Sequence, residues 1–379
     1  MDQHLAERLT MYRRDLHRIP EIDFDLPKTI AYLRSVIDPI AQRMVARGQQ
    51  VQVFSPSRSA LCLFFDRRTA TTTAIRTDMD ALPVFERSGV SFASTHEGKM
   101  HACGHDGHMS MVLALAAELE QRYEQLSESV LLVFQPAEET TGGAKLICES
   151  GVFKELGVRR IFGFHLWPDL PSGVVASRAG ELLAATNEAT FTFTGVASHI
   201  AKAEQGRDSL EAGCRFLARA YDYMARRRAE EPCLFKVGHM WSGEVRNQIS
   251  ARTVLEGSLR TFSLAMRSSC QADLQVIAHR CAGEAGCTVD VLFSEGYPPV
   301  VNNKTVFAQA KAALPYLQEL ETPLLIAEDF AWYQQWIPGV FLLLGTGTGI
   351  PLHADTFDFD ESILAQGVRT YLRLLGFDE

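Results

Sequence analysis

The chain has 379 residues, 46% of them hydrophobic and 22% charged, with 27 Gly, 15 Pro, 8 Cys and 11 His. That composition excludes collagen-like, coiled-coil, low-complexity and disordered classes, and the length suggests two domains or one large one. Lys+Arg 37 against Asp+Glu 46 gives a formal charge of -9, which argues against a general nucleic-acid or anionic-membrane surface and makes a small molecule the default partner.

The chain opens on a charged segment, Met1 to Arg14, with no apolar leader, and no window approaches the roughly 18 apolar residues of a membrane span. A cytoplasmic setting with reduced thiols is therefore expected. Cys62 in Ala-Leu-Cys-Leu-Phe-Phe and Cys148 in Leu-Ile-Cys-Glu sit in apolar runs, and seven of the eight cysteines read as small packing residues. Cys103 differs, because it lies among histidines.

Leu61 to Phe65 and Ala74 to Thr77 read as strands joined by the polar loop Asp66 to Thr72. Met109 to Tyr123 has helical apolar spacing, Val130 to Gln135 is a buried strand, Gly142 to Ser150 a short helix, and Ile161 to His165 another strand. This alternation predicts an α/β layer around a largely buried sheet. After Ser172 the pattern changes. Strand 188–194, helix 208–228, strands 234–239 and 253–259, helix 263–285 and strand 288–293 follow the order β, α, β, β, α, β of a ferredoxin-like sandwich. From Val306 the α/β pattern resumes, with helices 306–320 and 329–335, strand 340–344, a Gly/Thr loop 345–349 and a closing helix 361–375. We therefore divide the chain into one domain over 1–180 and 295–379 and an insertion over 181–294, bounded by turn-rich stretches near Pro171-Ser172-Gly173 and Tyr297-Pro298-Pro299.

Four apolar strand runs each end in ionisable residues: Arg76-Thr77-Asp78-Met79-Asp80, Gln135-Pro136-Ala137-Glu138-Glu139, Phe164-His165, and Leu342 to Leu344 followed by His353. In open α/β sheets ligands sit outside the carboxyl ends of strands, so these distant residues can converge. A fifth element, His101-Ala102-Cys103-Gly104-His105-Asp106-Gly107-His108, precedes the helix near Met109. Its glycines permit a tight turn, Asp106 is placed to cap the helix, and a thiolate is favoured at a helix start. Taken singly, Cys103 and His105 fit a buried hydrophobe and a satisfied polar residue. A zinc finger does not fit, since no second Cys-x-x-Cys or His-x-x-x-His half lies nearby. Glu138 and Glu139 are adjacent and point in different directions, so that one can bind metal while the other acts as general base on an activated water, or both can belong to a solvated acidic loop.

The segments Arg13 to Glu21, Arg76 to Pro83, Met100 to His108, Phe134 to Glu139, His165 to Pro168, Glu328-Asp329-Phe330 and Leu352-His353-Ala354-Asp355 resemble, in order, the motifs of the amidohydrolase branch of the aminoacylase-like metallopeptidases. That branch comprises N-acyl-amino-acid amidohydrolases, hippurate and auxin-conjugate hydrolases and N-acetyldiaminopimelate deacetylases. The resemblance implies a mixed-sheet catalytic domain with an inserted ferredoxin-like α+β lid and dimerisation domain. It implies two divalent metal ions held by Cys103, His105, Glu139, His165 and His353, with Glu138 as general acid/base and Asp78 orienting the site. It places His199 on the substrate carbonyl or oxyanion and Asn247 and Arg260 on the substrate carboxylate. His101 and His108 are expected to be structural and His17 to hydrogen-bond within the core. The sequence departs from the family at the lid, where the usual Gly-Gly-His is Ala197-Ser198-His199 and the Pro and His that often follow are replaced by Ile200 to Glu204. The expected activity is hydrolysis of the amide bond of an N-acyl amino acid by a homodimer. Deacetylation of N-acetyldiaminopimelate is the alternative within the class, and a catalytically silent small-ligand-binding relative the alternative outside it. The mixed donor set is compatible with Zn, Mn, Co or Ni.

Overall fold

Continuous apolar runs such as Leu61–Asp66, Thr72–Asp78 and Ser129–Gln135 are buried along almost their whole length, as strands covered on both faces must be. In the computed structural model, which describes residues 3–378, they lie in an eight-stranded mixed sheet. Its order is Gln50–Phe54, Leu61–Asp66, Ser129–Gln135, Thr72–Asp78, Val158–Trp167, Gly339–Gly345, Val175–Ser177 and Gln318–Glu319. The third to sixth of these are mutually parallel, so their carboxyl ends form one edge.

The chain divides into two compact units. One contains residues up to Leu182, Val301–Thr322 and the chain from Asp329 on, and the other Leu183–Val300 and Pro323–Glu328. In the first, helices Gln3–His17, Pro27–Ala46, His105–Arg122 and Leu364–Leu374 pack with the sheet in one core that includes Leu9, Leu33, Val112, Leu132 and Val368. In the second, the four-stranded sheet runs Thr288–Phe293, Ala185–Thr194, Arg252–Thr261, Cys233–Ser242, all antiparallel. The helix Ser209–Arg227 is capped by the Asp208 carboxylate, which accepts the N–H of Leu210 and Glu211. It turns Ala212, Phe216, Ala220 and Met224 inward, at fourfold spacing, onto Phe191, Phe193 and Phe235. The helix Leu264–Glu284 does the same with Met266, Cys270, Leu274 and Ala278.

The elements differ from the sequence reading at several points. The helix expected over 306–320 spans only Lys304–Ala313, because Pro315 disfavours helical backbone at the preceding residue. The helices Gln3–His17 and Pro27–Ala46 escaped the sequence reading. Cys214 is exposed; it sits off the face that Ala212 and Phe216 bury, so it is not a packing residue. Among the described residues no helix is long and apolar enough to cross a membrane.

Candidate active site

The parallel strands deliver Asp78, Glu138 and Glu139, His165 and His353 to one edge of the large sheet. Asp78 is the last residue of its strand and sits opposite Gln135, while His165 lies opposite Leu343. Cys103 and His105 arrive at the start of the helix His105–Arg122. Gly104 between them has φ 84°, and a Cβ there would lie 2.8 Å from Leu166 Cδ1, so the turn that aims both side chains requires glycine. Two non-glycine residues at the site also take left-handed backbone, Ala137 at φ 57° and His353 at φ 68°. The main chain of His353 is tied by its N–H to Ala102 O at 2.9 Å, next to Cys103.

One donor atom from each of Cys103, His105 and His165 lies within 4.8 Å of the other two, and the same holds for Cys103, Glu139 and His353 and for His105, Glu138 and Glu139. The three groups share members and form one cluster. Cys103 Sγ is 3.4 Å from His165 Nε2, and Glu139 Oε1 is 3.4 Å from His353 Nε2 and 3.8 Å from His105 Nε2. The ring orientations have a cause. His105 donates Nδ1–H to Asp80 O at 2.8 Å and His165 donates Nδ1–H to Leu166 O at 2.6 Å. Each carbonyl engages Nδ1 and so turns Nε2 toward the cluster, the arrangement of a metal-ligating histidine.

The donor set fits divalent metal. His105 Nε2 and Glu139 Oε1 are buried without a hydrogen-bond partner, which is costly unless a cation completes them. The charge balance points the same way. Burial opposes a charge on His105, but Asp78, Asp80 and Glu139 outweigh it and push the ring up to about 10. Burial likewise opposes the carboxylate of Glu139, while His353, His105 and Cys103 facing it hold it near about 2. Burial and the Glu139 and Glu138 carboxylates push the Cys103 thiol well up, an effect that a bound cation reverses.

Behind this cluster lies a buried polar frame. Asp78 accepts Nδ1–H of His108 at 2.7 Å and Nη1–H of Arg76 at 2.7 Å, and His108 Nε2 in turn accepts the N–H of Leu166 at 2.9 Å. His108 is therefore neutral, with both nitrogens used, and burial lowers its pKa. Although burial opposes its charge, His105, His108 and Arg76 hold the Asp78 carboxyl well below the usual range. Arg76 also donates to Asp329 at 2.9 Å and to Gln135 at 2.8 Å, and Gln135 and the N–H of Ala144 donate to Asp329. On the other side of the His/Cys loop, Asp106 does not cap the helix as expected. The N-cap is Gly104, without a side-chain cap bond. The Asp106 carboxylate turns to His17 Nδ1 at 2.8 Å and Arg13 Nε at 3.3 Å, buried cationic partners winning over the neutral N–H groups of the helix start. His17 is thus bonded within the core, its Nε2 to Glu86 at 3.2 Å, whereas His101 is fully buried with neither nitrogen bonded.

His199, Asn247 and Arg260 lie in the second unit. His199 and Asn247 are exposed neighbours: His199 bridges Gln248, and Ile200 donates its N–H to Asn247 O at 3.0 Å. Arg260 is half-buried near the opposite end of that sheet, paired with Thr186, whereas the His199 loop continues beyond the pair Thr194 and Arg252. Eight strand residues, roughly 26 Å, separate Arg252 from Arg260, so the structure does not bring His199 and Arg260 together within one chain.

Asp80 and the partners of Asp329 were missed by sequence reasoning. Asp80 carried a signal, since it stands two residues after Asp78 in the same ionisable run that ends the strand. Asp329 carried none beyond its place in Glu328-Asp329-Phe330.

A cluster of thiolate, imidazole and carboxylate donors, buried except for the exposed His353, outside the carboxyl edge of a mixed sheet and with a further carboxylate beside it, defines a metallo-hydrolase. Residues 74–376 match the model of peptidase family M20/M25/M40, and the chain belongs to that family. It is 31% identical over 97% of each chain to an uncharacterized hydrolase of Staphylococcus aureus, and 33% identical to an N-acetyldiaminopimelate deacetylase of Streptococcus uberis over 95% of this chain and 96% of that one. Among solved structures it is similar to the YXEP protein of Bacillus subtilis, a dinuclear metal-binding peptidase of the same family, with TM-score 0.84 and 29% identity over 99% of this chain and 98% of the other.

Proposed function

We propose that the protein hydrolyses the amide bond of an N-acyl amino acid, with Cys103, His105, Glu139, His165 and His353 as ligands of two divalent ions and Glu138 as general acid/base. The observation that carries this reading is the pair of adjacent carboxylates, Glu138 and Glu139, of which the second faces His353 and His105 while the first is buried beside it. When bound, the metal pair supplies Lewis-acid activation of water and of the scissile carbonyl. Glu138 accepts the proton as water adds to the carbonyl carbon. It then delivers that proton to the nitrogen, the C–N bond breaks, and a carboxylate and a free amine leave. The N–H of Asp329 approaches Glu138 Oε1 at 3.5 Å, and Asp78, gripped by His108 and Arg76, holds the floor of the site in register.

We assign His199 to the carbonyl oxygen or oxyanion and Asn247 and Arg260 to the substrate carboxylate. The distance between the two ends of the second unit's sheet means that one small substrate cannot touch His199 and Arg260 of the same copy, which supports a homodimer in which two copies furnish one site. Deacetylation of N-acetyldiaminopimelate is the second reading, favoured by the identity with the Streptococcus uberis deacetylase. Parallel assays of the metal-loaded protein on N-acetyldiaminopimelate, hippurate and simple N-acetyl amino acids separate the two. Turnover confined to the first substrate selects the deacetylase, and turnover of none removes the proposed function.

A further inference from the structure

Asp80 takes no part in the chemistry proposed above, yet it is fully buried and both its carboxylate oxygens are committed to the main chain of two other residues. Oδ1 accepts the N–H of Glu138 at 2.9 Å and Oδ2 accepts the N–H of Glu139 at 3.0 Å. Its own main-chain carbonyl accepts Nδ1–H of His105. A single residue thus touches three members of the cluster without pointing a donor atom into it. The segment it grips is one that would not hold its shape unaided. Ala137 has φ 57°, which costs an L-residue with a Cβ, and on the far side the N–H of Gly142 and of Gly143 fold back to Ala137 O at 2.9 and 3.3 Å. Consecutive N–H groups of an extended strand point in opposite directions. Those of Glu138 and Glu139 converge on one carboxylate, because both residues lie in the turn that follows the left-handed step at Ala137 and not in an extended strand.

We infer that Asp80 is a positioning residue that sets Glu138 and Glu139 relative to one another and to His105; the inference rests on the proposed function in taking Glu139 as a ligand and Glu138 as the proton carrier. It acts through the backbone, so its loss loosens metal and displaces the general base together. Charge alone does not substitute for it, because two oxygens at one side-chain length are needed to meet both N–H groups.

The test uses the full chain, stripped with chelator and titrated with Co2+. Asp80→Asn keeps the main-chain carbonyl for His105 but turns an amide NH2 toward one of the two N–H donors. The Kd for Co2+ is expected to rise about 10- to 100-fold, while the thiolate-to-cobalt absorption of Cys103 persists at saturation, which an unfolded site would not show. At saturating Co2+, kcat for the amide substrate falls about tenfold or more with KM little changed. Asp80→Glu, which keeps the charge and adds a methylene, shows the same loss. Adding Ala137→Gly to Asp80→Asn restores part of the Co2+ affinity, because glycine takes the left-handed conformation freely. A wild-type Kd in either folded variant overturns the positioning role. Should both variants fail to fold, hydrogen exchange of the wild-type holoprotein decides: slow exchange at the amides of Glu138 and Glu139 is expected, and exchange at the rate of a free loop overturns it. If the wild type hydrolyses no acyl amino acid, the proposed function falls while the Co2+ titration still decides on Asp80.

Discussion

The two sets of candidate residues are held in opposite ways. Around the sheet edge, the donors of Cys103, His105, Glu138, Glu139 and His165 lie in the protein and most are fixed by a neighbour: Asp80 O orients His105, Leu166 O orients His165, and Asp80 pins Glu138 and Glu139, while His353 stands exposed at the mouth, tied by its main chain to Ala102. In the second unit, His199 and Asn247 are exposed, and the His199 ring accepts a hydrogen bond from the nearby N–H of Ala201. The contrast separates a preorganised group of donors from side chains that the fold leaves open to solvent, as the proposed split between metal chemistry and substrate contact requires. Variants at the sheet edge should therefore alter metal binding or the chemical step, and variants of the second unit should alter turnover and substrate affinity with the metal site untouched.

The largest effect is expected for Glu138→Ala, which lowers kcat by about 10² to 10⁴ at unchanged metal content, read by steady-state kinetics alongside elemental analysis. Wild-type rates in metal-replete buffer would remove Glu138 from the proton path. His199→Ala tests the other region. As loss of a single oxyanion donor it should cost about 10² to 10³ in kcat and leave metal stoichiometry at the wild-type value. A drop in metal content would erase the contrast between the two regions. Cys103→Ala should weaken metal binding by about 10- to 100-fold or more, measured by competition with a chromophoric chelator, and unchanged affinity for both ions would return Cys103 to a packing role.

The smallest effect concerns the buried network behind the His/Cys loop. Burial opposes the charge on His17, but Asp106 and Glu86 outweigh it and raise the ring from 6.5 to about 9. A raised folded-state pKa stabilises the fold below the unfolded value, and the contribution is lost as pH climbs through about 9. Between pH 7 and 9 the wild type should lose about 2 kcal/mol relative to His17→Gln in chelator-treated protein. Parallel stability curves for the two proteins would show that His17 is not charged in the folded state.

How much of this could be read from the sequence depends on how local each cause is. The strand ends were legible because short apolar runs stop abruptly at ionisable residues, and the parallel neighbours Ser129–Gln135, Thr72–Asp78, Val158–Trp167 and Gly339–Gly345 bring those ends to one edge. The dense loop from His101 to His108 was legible from residue type alone. The Arg76 frame was not, since its partner Asp329 lies 253 residues away and no local pattern links them. Asp106 misled for the same reason: a helix-start aspartate is a cap by local rules, and here Arg13 and His17, about 90 residues earlier in the chain, compete for it. The helix Gln3–His17 was readable in principle, since Leu5, Leu9, Tyr12 and Leu16 are its buried apolar positions at helical spacing, but its charged exposed face masked the pattern.

The central claim is metal-dependent hydrolysis of an N-acyl amino acid. Its most direct test is release of free amino acid from an N-acyl panel by the same preparation before chelation, after chelation and after metal return. Turnover should disappear with the metal and come back with it. Protein carrying two metal equivalents that cleaves no member of the panel would contradict it.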